Sequence, residues 1–180
     1  MSRIILVTGG SRSGKSSYAQ KKAESLEGSR LFIATCPRID SEIDSRIEKH
    51  INDRQGKGWN TIEEQLNLAE VIRENLECSI VLVDCLTLWI NNLMYESKKK
   101  QKSFDEVDMI AHCMQILVDA RNHFGTIIFV TNEVGSGIVP ESSETRLYRD
   151  LVGRCNQYIA SGADEVVLVS CGIPLTLKSD

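Results

Sequence analysis

The sequence predicts an α/β protein, a mostly parallel sheet flanked by helices, from two observations. Short apolar runs rich in β-branched residues recur along the chain, and each is nearly continuous in apolar character. Such runs are typical of strands that are buried on both faces of a parallel sheet. Segments of helical length separate the runs, which favours helical crossovers between parallel strands. With 180 residues, the chain suits a single domain over residues 1–180.

Strands and helices are predicted to alternate along the chain. The apolar runs give the strands Ile4–Val7, Leu31–Ala34, Ile80–Val83, Thr126–Val130 and Val166–Val169. The intervening segments give the helices Ser16–Leu26, Glu42–Arg54, Gln65–Leu76, Leu86–Met94, Phe104–His123 and Ser142–Ala160. The order of the strands in the sheet is not readable from these patterns.

Composition argues against several classes of protein. Apolar residues make up 42% of the chain and charged residues 26%, as in soluble globular proteins. A net charge of −4 argues against a general nucleic-acid binder, which needs a basic face. No apolar run is long enough for a membrane-spanning helix, and the first one is too short for a signal peptide. Six scattered cysteines without a C-x-x-C pair indicate reduced thiols, so we expect a cytoplasmic protein.

A glycine-rich segment directly follows the first predicted strand. The run Gly9-Gly10-Ser11-Arg12-Ser13-Gly14-Lys15-Ser16 matches the P-loop pattern G-x-x-x-x-G-K-[ST], and a predicted helix follows it. The glycines let backbone N–H groups wrap phosphates, and the helix adds the positive end of its dipole. Lys15 is expected to reach the terminal phosphates, and the Ser16 hydroxyl to ligate Mg²⁺. The sequence therefore predicts a nucleotide-binding protein.

The predicted helix Glu42–Arg54 carries a candidate nucleophile. Isoleucine recurs at every fourth position on one face, and Arg46, His50 and Arg54 recur at the same spacing on the adjoining strip. Two guanidinium groups one turn away favour the neutral, nucleophilic form of the imidazole, and both suit pairing with phosphate oxygens. The alternative for the same strip is a solvated helix face.

An acidic residue, Asp84, directly follows the predicted strand Ile80–Val83. This arrangement fits the Walker B pattern, in which the acid helps to hold Mg²⁺. The alternative is an aspartate that only caps the end of the strand. The chain lacks the N-K-x-D motif with which regulatory GTPases select guanine, and no D-x-x-G follows Asp84. These two features argue against a molecular switch.

A charged run and two histidines receive structural interpretations. The run Glu96–Lys102 is predicted to be a solvated surface loop. His112 lies in the middle of the predicted helix Phe104–His123. His123 lies near the end of that helix, where a histidine interacts favourably with the helix dipole. Neither histidine is taken as a site residue.

Motifs along nearly the whole chain resemble those of the family of bifunctional adenosylcobinamide kinases / adenosylcobinamide-phosphate guanylyltransferases of cobalamin biosynthesis. Their order and spacing make the resemblance more specific than the P-loop alone. The motifs are TGGSRSGKS (8–16), IAT (33–35), RIxxH (46–50), GWNTIE (58–63), VDCLTLW (83–89), TNEVGxGIVP (131–140), GRxNQ (153–157) and ADEV (163–166).

The resemblance implies a RecA-like P-loop fold, a homotrimer and two reactions. In the first, the γ-phosphate of GTP or ATP is transferred to the hydroxyl of adenosylcobinamide. In the second, GMP from GTP passes through a covalent guanylyl-histidine to that phosphate, giving adenosylcobinamide-GDP and pyrophosphate. By match, His50 carries the guanylyl group. Further nucleotide contacts fall by match on Ile33, Ala34, Thr35, Ile51, Asn52, Asp53, Arg54, Glu63 and Asp84.

One position departs from the pattern of the family. Some relatives carry two adjacent histidines where this chain has Lys49-His50, so one candidate nucleophile remains. Either His50 carries the guanylyl group, or the chain lacks the transferase half and is a monofunctional P-loop metabolite kinase. A nucleotide-dependent interaction module without catalysis is a further alternative, and the strip with Arg46, His50 and Arg54 argues against it.

Overall fold

The computed structural model describes residues 2–37, 48, 52 and 54–179. The strands are β1 (Arg3–Thr8), β2 (Arg30–Ala34), β3 (Trp59–Glu63), β4 (Ile80–Asp84), β5 (Thr126–Val130), β6 (Glu165–Ser170) and β7 (Ile173–Ser179). The helices are α1 (Lys15–Glu24), α2 (Leu68–Glu74), α3 (Leu86–Lys99), α4 (Glu106–Asn122) and α5 (Ser143–Gly162). A short 3₁₀ helix spans Val134–Ser136.

These strands form one seven-stranded sheet in the order β3-β2-β4-β5-β1-β6-β7. Neighbouring strands are parallel except β6 and β7, which are antiparallel. The predicted α/β fold with a mostly parallel sheet is thereby confirmed. Because β5 lies between β1 and β4, the carboxyl ends of these three strands lie side by side.

Every predicted strand is present, but the sequence patterns missed the two edge strands. The residues of β3 are half-buried or exposed, so this strand has no continuous apolar run. Nearly all residues of β7 are exposed, and Pro174 interrupts its apolar positions. An edge strand is covered on fewer sides than a central one, which weakens the apolar pattern that identifies strands.

The predicted surface loop Glu96–Lys102 is wrong in its first half. Helix α3 continues through Lys99, and Lys100 caps it. Glutamate and lysine are good helix formers, and the ammonium group of Lys100 lies 3.0 Å from the carboxylate of Glu96 one turn earlier. A run of charges is therefore compatible with a helix as long as one face stays in water. Among the described helices, none is long and apolar enough to cross a membrane.

Alternate side chains of the central strands enter two separate cores. In β1, Ile4 and Leu6 face a large core that α2, α3, α4 and α5 cover, whereas Ile5 and Val7 face a smaller core beneath α1. These four side chains are at most 1% exposed, which accounts for the unbroken apolar run in the sequence.

The cysteines and two histidines lie in structural surroundings. All six cysteines are free thiols. His123 is buried, and its Nδ1 accepts a hydrogen bond of 2.9 Å from the backbone N–H of Gly125. The ring of His112 contacts those of Trp89 and Phe104, and the resulting partial desolvation lowers its pKa. These positions agree with the structural roles expected for both histidines.

A carboxylate joins the start of the sheet to α4. One oxygen of Asp164 accepts the backbone N–H of Ile4 at 2.6 Å and an N–H of Arg121 at 2.8 Å, and the other accepts a second N–H of Arg121 at 2.7 Å. The Arg121 hydrogen bonds are the main reason that the pKa of Asp164 is lowered. Asp164 therefore contributes to stability in its charged form.

We expect Asp164→Asn to lower the free energy of unfolding by about 1–3 kcal/mol at neutral pH, because it removes charge-assisted hydrogen bonds. Since folding lowers the pKa, the contribution of Asp164 is complete above the pKa of an unfolded aspartate. It is lost as the pH falls through the folded value, so the difference between the two proteins should shrink below about pH 4. Urea unfolding at several pH values measures it. The control Asp150→Asn changes an exposed carboxylate. A variant as stable as the wild type at pH 7 would contradict the prediction.

Candidate nucleotide-binding site

The loop between β1 and α1 forms a tight cradle of backbone. Gly14 has φ +93°. A Cβ atom on Gly9 would lie 2.3 Å from the carbonyl oxygen of Val169 and 2.7 Å from Oγ of Ser13, so no side chain fits there. Oγ of Ser13 is buried and has no hydrogen-bond partner within the described residues. A concave loop with an unsatisfied hydroxyl suits a bound anion.

Positive charge faces the same cradle. The ammonium group of Lys15 donates to the carbonyl oxygen of Gly10 at 3.2 Å, which holds it against the loop. Helix α1 begins at Lys15, so the free N–H groups of its first turn and the positive end of its dipole lie at the loop. Ser16 is the next residue of this turn and is half-buried. The P-loop geometry expected from the sequence is therefore present.

Three candidate nucleotide contacts outside the P-loop, Ala34, Glu63 and Asp84, lie in one row at the carboxyl ends of the strands. The strand register aligns Glu63 with Ala34, Ala34 with Asp84, Asp84 with Val130, and Val130 with Val7. With roughly 4.8 Å between neighbouring strands, Asp84 lies about 10 Å and Glu63 about 19 Å from the P-loop strand. The row thus extends away from the phosphate cradle over the length of a nucleotide.

Thr35 joins the ends of β2 and β4. Its hydroxyl donates to the carbonyl oxygen of Cys85 at 2.9 Å and accepts the backbone N–H of Cys85 at 2.8 Å. Its own N–H donates to the carbonyl oxygen of Asp84 at 3.2 Å, and its carbonyl oxygen accepts from the Asn92 side chain at 2.8 Å. Thr35 therefore fixes the strand ends that carry Ala34 and Asp84.

The thiol beside the Walker B aspartate is neutral. Burial and then the negative charge of Asp84 raise the pKa of Cys85 to about 11, and the charge of Lys15 acts in the opposite direction. The sulfur also lies 2.9 Å from the hydroxyl of Thr87. Because Asp84 and Lys15 both act on this thiol, the Walker B acid and the P-loop cation belong to one electrostatic environment. A thiol of this pKa is not a nucleophile at neutral pH.

The helix predicted over Glu42–Arg54 is described only in part. Arg54 is 5% exposed, and its guanidinium lies 3.6 Å from the centre of the Phe32 ring. Asn52 is exposed and accepts a hydrogen bond from the side chain of Gln55 at 3.2 Å. The remaining candidates of this helix, namely Arg46, His50, Ile51 and Asp53, lie outside the described residues.

Ile33 lies wholly within the core. The whole residue is 0% exposed, and β2 pairs with β3 on one side and β4 on the other, so the structure leaves Ile33 no accessible surface for a nucleotide.

The structure adds a carboxylate that the sequence analysis left without a role. Glu133 follows β5, within the motif at 131–140, and its Oε1 accepts a hydrogen bond of 2.5 Å from the hydroxyl of Thr8. Its backbone N–H donates to the carbonyl oxygen of Gly9 at 3.3 Å. Asp84 directly follows its apolar run, whereas Thr131 and Asn132 separate Glu133 from the end of β5, so the sequence signal for Glu133 is weaker. Glu133 could be connected to the P-loop only once the position of β5 beside β1 was known.

A mostly parallel sheet, a glycine loop between β1 and α1 and an acid at the end of β4 define a P-loop nucleotide-binding protein. Residues 5–177 match the family described as cobinamide kinase / cobinamide phosphate guanyltransferase. The chain belongs to this family, and the resemblance found in the sequence is confirmed.

Named relatives match along nearly the whole chain. The bifunctional adenosylcobalamin biosynthesis protein CobU of Escherichia coli (strain K12) is 38% identical, over 97% of this chain and 99% of the relative. The protein of the same name from Salmonella typhimurium is also 38% identical, with the same coverage. The bifunctional adenosylcobalamin biosynthesis protein CobP of Pseudomonas aeruginosa is 36% identical, over 97% of each chain.

A solved structure shares the fold. The KaiC-like protein from Pyrococcus horikoshii OT3 superposes with a TM-score of 0.51 and 14% sequence identity, covering 92% of this chain and 70% of that protein. At this identity the likeness concerns the fold alone, and it agrees with the predicted P-loop α/β architecture.

Proposed function

We propose that this chain phosphorylates adenosylcobinamide with GTP or ATP and then transfers GMP from GTP to the product, giving adenosylcobinamide-GDP and pyrophosphate. The observation that carries the proposal is the P-loop cradle with Asp84 two strands away, in a chain of the cobinamide kinase / cobinamide phosphate guanyltransferase family. The substrates are then adenosylcobinamide, its phosphate and a nucleoside triphosphate.

The phosphorylation step uses the cradle between β1 and α1. Backbone N–H groups of Gly9–Ser16 bind the phosphates, and Lys15 neutralises the charge that develops on the transferring group. The unsatisfied hydroxyl of Ser13 fits such an anion, and Gly9 allows the loop to pack closely against Val169. Ser16 and Asp84 would hold Mg²⁺, whose preferred ligands are oxygens from one or two side chains together with phosphates and water. The metal supplies Lewis-acid stabilisation of phosphate charge.

The row of residues along the strand ends binds the rest of the nucleotide. Ala34 lies half-buried between the P-loop and the far edge of the sheet, and Ile33 and Thr35, which the family match also assigns to the nucleotide, are buried beside it. Glu63 is about four strand spacings from the P-loop strand, which is roughly 19 Å. At that distance its carboxylate suits the ribose hydroxyls rather than the phosphates. Ile51, Asn52, Asp53 and Arg54 complete the nucleotide contacts by match to the family.

The guanylyl transfer step proceeds through His50. A neutral imidazole attacks the α-phosphorus of GTP and expels pyrophosphate, and the guanylyl group then passes to adenosylcobinamide phosphate. Arg46 lies one helical turn before His50 in the sequence and can offset phosphate charge. Arg54, one turn after His50, is instead buried against the ring of Phe32. By the family resemblance the enzyme is a homotrimer, and its scattered cysteines favour the cytoplasm.

Parallel incubations with α-labelled and γ-labelled GTP, with and without adenosylcobinamide, test both halves of the proposal. We expect γ label on adenosylcobinamide, and α label first on the protein and then on the cobinamide product. Transfer of γ label without any α label on the protein would instead identify a monofunctional P-loop kinase. Binding of GTP with no transfer of either label would identify an interaction module without catalysis.

A further inference from the structure

Glu133 is held at the edge of the P-loop by two hydrogen bonds. Strand β5 lies between β1 and β4, so the residues that follow it emerge between the P-loop and Asp84. The backbone N–H of Glu133 donates to the carbonyl oxygen of Gly9, the first residue of the P-loop, at 3.3 Å. The hydroxyl of Thr8 donates to Oε1 of Glu133 at 2.5 Å. The carboxylate therefore lies beside the phosphate cradle.

This arrangement leaves part of the carboxylate available to a substrate. An ionised carboxylate can accept about four hydrogen bonds over its two oxygens. The Thr8 hydroxyl uses one of these positions on Oε1, and Glu133 is half-buried rather than enclosed. Oε2 is therefore in a position to accept a proton from a group that approaches the cradle.

The segment that carries Glu133 is itself fixed to α5. The Thr131 hydroxyl donates to Oδ1 of Asn156 at 2.6 Å, and the amide of Asn156 donates to the carbonyl oxygen of Asn132 at 3.1 Å. Thr131 is 0% exposed. Catalytic groups need such support, because small displacements of a reacting group cost large factors in rate.

We propose that Glu133 is the general base of the phosphorylation step, an assignment that rests on the proposed function. The acceptor hydroxyl of adenosylcobinamide attacks the γ-phosphorus, and a new oxygen–phosphorus bond forms as the bond from the γ-phosphorus to the β–γ bridging oxygen breaks. The hydroxyl proton moves to Oε2 of Glu133, and the nucleoside diphosphate leaves with the bond electrons. Glu133 later returns the proton to solvent.

The guanylyl transfer step does not need this base. Its acceptor is a phosphate monoester, whose second pKa of about 6 leaves it mostly deprotonated at neutral pH. The loss of the Glu133 carboxylate should therefore separate the two reactions, because only the first one removes a proton from an alcohol.

The alternative role for Glu133 is a purely structural link between β1 and β5. Glu133→Gln distinguishes the two roles, because the amide oxygen still accepts the Thr8 hydrogen bond but the side chain no longer acts as a base at neutral pH. Thr8→Val does the reverse, since it removes the hydrogen bond and keeps the carboxylate. Glu27→Gln, at an exposed position beyond the far end of α1, is the matched control.

The measurements are the rate constant of phosphorylation, the affinity for Mg²⁺–GTP, and the guanylylation of adenosylcobinamide phosphate supplied directly. For Glu133→Gln we expect phosphorylation to slow by about 10²–10⁴-fold, with nucleotide affinity and guanylylation close to wild type. Thr8→Val should slow phosphorylation less than Glu133→Gln does.

Three results would overturn the assignment. The first is phosphorylation by Glu133→Gln at the wild-type rate. The second is an equal loss of phosphorylation and guanylylation in Glu133→Gln. The third is a loss of phosphorylation in Thr8→Val as large as that in Glu133→Gln. The wild-type enzyme, assayed with the same labels, decides the proposed function separately. A wild type that guanylylates nothing contradicts the transferase half, and the comparison of phosphorylation with nucleotide binding still tests Glu133.

Discussion

Replacing Lys15 with alanine is expected to slow phosphoryl transfer to adenosylcobinamide by at least about 10²–10³-fold, the scale for losing one group that stabilises transition-state charge. Lys15 is the cation of the cradle, and its ammonium group is held over the loop by the carbonyl oxygen of Gly10 at 3.2 Å. The γ-phosphate passes negative charge to the leaving diphosphate during transfer, and Lys15 neutralises it. Nucleotide binding should weaken as well, because the same charge attracts the ground-state phosphates.

The variant should remain folded, since the Lys15 side chain takes no part in either core. Circular dichroism and urea unfolding check this, and single-turnover assays with γ-labelled GTP measure the transfer. Lys21→Ala is the matched control, because it removes an exposed lysine from the last turn of the same helix. Near-wild-type phosphorylation by the Lys15→Ala protein would refute the role of the P-loop in catalysis.

The sequence predicted those elements of the fold that depend on residues close together in the chain. The strands of the sheet interior are buried on both faces, so Ile4–Val7 in β1 and Ile80–Val83 in β4 are apolar at every position. Strands β3 and β7 lie at the edges, where polar residues interrupt β3 and Pro174 and Thr176 interrupt the exposed apolar positions of β7. The strand order depends on crossovers between segments far apart in the sequence, and no local pattern records it.

The same division holds for the site. The P-loop is a contiguous motif, so the sequence was enough to place Lys15 and Ser16. Asp84 was found from the acid after its strand, but its position about 10 Å from β1 follows only from the intervening β5. Glu133 lies three residues beyond β5 and gives a weaker local signal. Its place beside the P-loop becomes visible only through the hydrogen bond from Thr8, a residue 125 positions earlier in the chain.

The second large effect concerns His50. We expect His50→Ala to abolish the labelling of the protein by α-labelled GTP and the formation of adenosylcobinamide-GDP, because the imidazole is the proposed carrier of the guanylyl group. Attack at the α-phosphorus retains GMP and expels pyrophosphate, so only the α label can stay on the protein. Phosphorylation should continue, since γ-transfer depends on Lys15, Ser16 and Mg²⁺ rather than on a covalent intermediate.

Chemical stability identifies the bond that carries the label, and peptide mapping identifies the residue. A phosphorus–nitrogen bond to imidazole should be lost in acid and survive alkali, unlike an ester to serine or threonine, and peptide mapping should place it on His50. Lys49→Ala is the control, because Lys49 stands where some relatives carry a histidine, and it should label as the wild type does. Undiminished labelling of His50→Ala would contradict the assignment and point to Lys49. Partial loss of phosphorylation in His50→Ala would not contradict the assignment, because nucleotide contacts shared between the two reactions would lower both rates.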